Sequence, residues 1–88
     1  MEESVQQALD DAGRACMKLI GTPGISDDLN NRLARFLYGC MNQRLTIVER
    51  VRQRGPGEYD KVLKFVAKAA QLVVDIEKEL DTSQEKRC

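Results

Sequence analysis

Both prolines of this 88-residue chain sit in glycine-flanked breaks, Gly21-Thr22-Pro23-Gly24 and Gly55-Pro56-Gly57. Glycine ends a helix by taking a backbone conformation that other residues avoid, and proline cannot continue one. Between the breaks there is no proline, and glycine occurs only at Gly13 and Gly39. Leu, Ala, Arg, Lys, Glu and Gln fill those stretches, residues that lose little on entering a helix. The breaks therefore predict three helices joined by two short turns. Short connections place consecutive helices antiparallel. The expected fold is all-α: an antiparallel three-helix bundle in which a long helix 2–helix 3 hairpin carries a shorter helix 1.

The apolar spacing supports each helix. In the first segment Ser4 stands three residues before Gln7, the spacing of a capping box. Val5, Ala8, Leu9, Ala12, Ala15, Cys16, Leu19 and Ile20 then recur in steps of three and four. Gly13 costs this helix ~1 kcal/mol relative to Ala and leaves room for a neighbouring helix to approach. The second segment opens on Ser26 as N-cap, followed by Asp27 and Asp28 where the helix dipole favours negative charge. Its stripe reads Leu29, Leu33, Phe36, Leu37, Cys40, Met41, Leu45, Val48 and Val51. In the third segment Tyr59, Val62, Val66, Ala69, Val73, Ile76 and Leu80 alternate steps of three and four without a break. That is a heptad seam, suited to packing along an antiparallel neighbour. Residues 1–81 are read as one three-helix domain and 82–88 as a frayed polar tail. The expected core is Leu9, Leu19, Leu33, Phe36, Leu37, Leu45, Val48, Val62, Val66, Val73 and Leu80.

The segments differ in length. Helix 1, about residues 4–20, spans roughly 25 Å, and helices 2 and 3 exceed it by ~10–18 Å. If helix 1 turns back at residues 21–25, its start reaches only about the level of Leu45. The far end of the helix 2–helix 3 hairpin then lacks a third helix over it, and a chain this small gains from further burial. Ile47, Val51, Tyr59, Leu63 and Phe65 at that end are the expected partner-binding residues. Arg50, Arg52 and Arg54 form an expected electrostatic rim, steering an acidic partner.

Catalytic chemistry finds no foothold in the sequence. There is no histidine, no Cys-x-x-Cys pair and no phosphate-binding Gly-Lys-Ser/Thr after the first glycine turn. Asp10-Asp11 and Asp27-Asp28 are adjacent and so diverge on a helix. Cys16, Cys40 and Cys88 are too few and too widely separated for a structural zinc site. Cys16 and Cys40 fall in apolar stripes and read as small core residues, while Cys88 reads as an exposed thiol in the tail. The chain is thus expected to be no enzyme, with no catalytic residue, no metal, no cofactor and no small-molecule substrate. With no signal peptide and no apolar run of 18 residues, it is expected inside the cell, in the cytoplasm, without a membrane span.

Charge divides the functional readings that remain. The formal net charge is zero. Residues 26–54 nevertheless carry six arginines against three acids, and residues 58–81 carry six acids against four lysines. Neighbouring helices of opposite sign attract, which explains the split. The preferred expectation is a protein-interaction module, an adaptor or regulatory subunit that binds a protein partner or forms a homodimer. The alternative is a small nucleic-acid-associated protein whose helix 2 arginines hold phosphates. Few aromatic residues and no groove-reading motif accompany those arginines.

Overall fold

A computed structural model describes the backbone of residues 2–87 and the side chains of residues 3–81. It consists of α1 (Glu2–Leu19), α2 (Asp27–Arg54) and α3 (Gly57–Arg87), with all three helices packed on one another as a three-helix bundle. The bundle is a rod of 53 × 19 × 16 Å. The expected tail at 82–88 and the Cys88 thiol fall outside the residues whose side chains are described.

The helix ends follow from local chemistry. Ser26 holds an extended backbone and its Oγ accepts from the Leu29 N–H at 3.2 Å, so the predicted N-cap of α2 forms. At the other end Gly55 takes φ 95° and its N–H donates to the Val51 carbonyl at 2.8 Å. A side chain at Gly55 would strain that backbone, which is why the break needs glycine there. Ser4 does not cap α1, because the helix already begins at Glu2 and Ser4 falls in its first turn.

The core runs the length of the rod. Val5, Leu9, Ala12 and Cys16 of α1 meet Leu33, Cys40 and Ile47 of α2 and Val62, Ala69, Val73 and Ile76 of α3. The α3 residues are the predicted seam, with Tyr59, Val66 and Leu80 half-buried beside it. On α2 the buried residues are seven apart, so a single line of the helix faces inward. Leu45 and Val48 do not belong to it, contrary to expectation; both are exposed.

The register of α1 also departs from the sequence reading. Asp10 pairs with Arg44 at 3.2 Å, and Gly13 lies against Leu37 and Cys40. At 1.5 Å per residue this places the start of α1 level with about residue 52 of α2, well past Leu45. The cause is the connection between the helices. The turn falls where the glycines place it, but residues 20–26 run alongside the first turns of α2, where the Gly21 N–H donates to Asn30 Oδ1 at 3.1 Å. That path slides α1 toward the closed end of the hairpin. Ile25, Leu29 and Leu80 close the opposite end.

Candidate protein-interaction site

The shifted α1 covers the end that was expected to be bare. Ile47 and Val62 have no exposed surface, and Val51, Tyr59 and Phe65 are half-buried against the core. Of the five expected partner-binding residues only Leu63 is exposed. Ile47 is therefore a core residue. Phe65 packs inward as well: its ring stands 5.3 Å from that of Phe36, tilted by 50°. It reaches α2 because Gly39 presents no side chain there. A Cβ at Gly39 would fall 3.1 and 3.2 Å from Phe65 Cε2 and Cε1.

The arginine rim is likewise engaged within the hairpin. Arg50 Nε donates to Glu58 Oε1 at 3.0 Å, and its Nη1 donates to Gln43 Oε1. Glu58 is buried and also receives Lys61 at 2.9 Å and Arg54 at 3.8 Å. The Lys61 and Arg50 hydrogen bonds hold its carboxyl below the ordinary value of 4.5, outweighing the opposing effect of desolvation. Arg52 pairs with Glu49 at 3.4 Å on the exposed surface. Arg50 thus belongs to an ion-pair cluster that locks the α2–α3 turn, and Arg52 and Arg54 each have a carboxylate partner.

A different apolar face is open to solvent. Tyr38, Met41, Leu45 and Val48 of α2 are exposed, Leu45 most of all at 82% and Tyr38 at 68%. Their spacing is 3, 4, 3, the pattern that lines residues up along one side of a helix. The stripe stands roughly a third of a turn from the buried line through Leu33, Cys40 and Ile47. The apolar arc of α2 is thus about twice as wide as its two neighbours in the bundle cover. Met17 of α1, 59% exposed, borders the same face.

Beside the stripe runs an open groove between α1 and α2. Gly13, Leu37 and Cys40 are among its apolar lining, with Met17, Met41 and Leu45 along it and Asp10, Arg14 and Arg44 as its polar members. The absence of a side chain at Gly13 keeps the groove deep there. Burial pushes the Cys40 thiol up to about 11, with Cys16 adding to the effect, and burial raises the Cys16 thiol too. Both cysteines are free and buried, as their apolar neighbours predicted. Such thiols are poor nucleophiles at neutral pH.

Among the described residues, no cluster of three or more His, Cys, Asp or Glu side chains is arranged to hold a metal ion. No described helix is long and apolar enough to cross a membrane. Comparison of the chain with protein-family models, curated proteins and solved structures finds no match. The apolar spacing assigns Leu45 and Val48 to the expected core and Met41 only to the stripe of helix 2, and it passes over Tyr38 and Met17. The signal that picks out the stripe is its own 3, 4, 3 spacing, the same test that identified the seam of α3.

Proposed function

We propose that the chain is a non-catalytic protein–protein interaction module, a small subunit, adaptor or regulator, that docks a helix-bearing partner on the exposed stripe of α2. The observation that carries this reading is Leu45, 82% exposed at the centre of a four-residue apolar seam. Single exposed apolar residues are ordinary, whereas a contiguous row at helical spacing is what an amphipathic partner helix buries. Tyr38 and Met41 suit such a role: Tyr brings large contact area with a polar tip, and Met adapts its shape to the partner. The docking surface is thus moved from the hairpin end to the middle of α2.

The nucleic-acid alternative has less support. Arg50 and Arg54 both reach Glu58, and Arg52 reaches Glu49, so phosphate would compete with carboxylates already in place.

Site-specific photo-crosslinking in the cells that make the protein tests the reading. A photoreactive residue at Leu45 is expected to yield discrete protein adducts, and one at the exposed Lys68 of α3 is expected to yield few. Equal labelling from the two positions would argue against a docking face on α2.

A further inference from the structure

We propose that the occupant of the α2 stripe is a second copy of this chain, laid antiparallel across a two-fold axis that crosses the stripe midway between Met41 and Leu45, with Arg35 of each copy facing Glu49 of the other. The inference rests on the docking reading above and adds the identity and register of the partner.

Two features carry it. The first is the symmetry of the stripe. Residues 38, 41, 45 and 48 are spaced symmetrically about position 43, so an antiparallel copy sets Tyr38 against Val48 and Met41 against Leu45. Each layer joins a longer side chain to a shorter or branched one, and the two-fold repeats each layer once. A two-fold interface requires a patch that complements itself in this way.

The second feature is charge. On the flank of the stripe away from α1, one heptad apart, lie Arg35, Asn42 and Glu49. Antiparallel packing turns this flank against its own copy. In the register set by the apolar layers, Asn42 then meets Asn42 at the axis and Arg35 meets Glu49 at both ends. Arg35 is exposed and has no ion-pair partner among the described residues. Among the described residues, Glu49 pairs with the exposed Arg52 and accepts from the exposed Gln53. On the other flank Arg44 approaches its own copy. Asp10, 3.2 Å from Arg44 Nε, offsets that like charge within each chain.

The stripe is three turns long, short of the ~800 Å² per partner of a standard interface. Association in the micromolar range is therefore expected.

Sedimentation velocity of the full chain, under reductant and over a range of concentrations, tests the proposal. The wild type is expected to show a concentration-dependent monomer–dimer equilibrium. Arg35→Glu and Glu49→Arg should each weaken it roughly tenfold, as two facing pairs become repulsive. The double reversal should recover wild-type association to within about twofold. Recovery is a readout that a purely structural role for either residue would not give. A wild type that stays monomeric throughout, or a dimer indifferent to both single reversals, overturns the proposal. The crosslinking at Leu45 separates this failure from that of the docking reading. Adducts to a different protein with a monomeric chain remove only the second copy, and no position-specific adduct removes both.

Discussion

Leu45 and Ile47 stand two residues apart on α2 at the two extremes of exposure, 82% for Leu45 and 0% for Ile47. Two residues of helix turn the side chain through about 200°. One branched aliphatic therefore fills the core while the other faces water, and the stability cost of losing each should differ accordingly. Ile47→Ala should destabilise the fold by ~2–4 kcal/mol through lost burial and the cavity left behind. Leu45→Ala should stay within ~0.5 kcal/mol of wild type. Urea unfolding monitored by circular dichroism measures both, at a protein concentration low enough to keep self-association out of the comparison.

The two interior glycines should respond to Ala in opposite directions. At Gly13 a Cβ would make ordinary contacts, 3.5 Å from Leu37 Cδ1 and 3.7 Å from Cys40 Cβ. Gly13→Ala should then gain part of the ~1 kcal/mol helix preference of Ala over Gly. At Gly39 the Phe65 ring already occupies the space. Gly39→Ala must displace a ring held against Phe36, and should lose ~1–3 kcal/mol despite the better helix former. Pairing it with Phe65→Leu should recover part of that loss, which a double-mutant cycle in urea would show.

Acid should loosen the α2–α3 turn through Glu58. Lys61 and Arg50 lower its folded-state pKa, so the native protein binds its proton less readily than the unfolded chain does. The resulting stability is present above the ordinary carboxylate value of 4.5 and is lost as pH falls through the lowered folded value. Glu58→Gln should remove that contribution. The difference in melting temperature between wild type and Glu58→Gln should therefore shrink as pH drops below 4.5, the ordinary value. A difference that stays constant or grows in acid would contradict the role given to this cluster.

The reach of the sequence can be judged at particular residues. The two glycine–proline breaks located all three helices, Ser26 was legible as a cap, and the heptad seam of α3 named its buried residues. α2 was misread because its apolar residues cover more than one face. Leu33, Phe36, Leu37, Cys40, Met41, Leu45, Val48 and Val51 satisfy helical spacing while drifting around the axis, and only the positions of α1 and α3 decide which line is inside. The hairpin end was misjudged for a different reason. Helix lengths give reach only when register is known, and register depended on residues 20–26 running beside α2. Neither the Asn30 side chain that holds Gly21 nor the Asp10–Arg44 pair announces itself in a one-dimensional pattern.

The buried cysteines make a simple check on the α1–α2 packing. Cys16 and Cys40 are buried, and Cys40 is pushed up to about 11. In the native state at pH 8 neither should react with a thiol reagent on the timescale of an exposed cysteine, and both should react at once in denaturant. Mass spectrometry of the modified peptides distinguishes them from Cys88. Rapid native labelling of Cys40 would mean that the groove between α1 and α2 opens far more readily than its packing implies.

The most direct test of the α2 docking face is the native mass of Leu45→Lys beside wild type, each recovered from the cells that produce it. Lys favours helix about as well as Leu, so the substitution should leave the thermal unfolding of the purified chain nearly unchanged. Measured at ~100 μM, well above a micromolar dissociation constant, wild type is expected in an assembly heavier than one chain and Leu45→Lys as the monomer. An unaltered assembly in Leu45→Lys, with the fold intact, would contradict it.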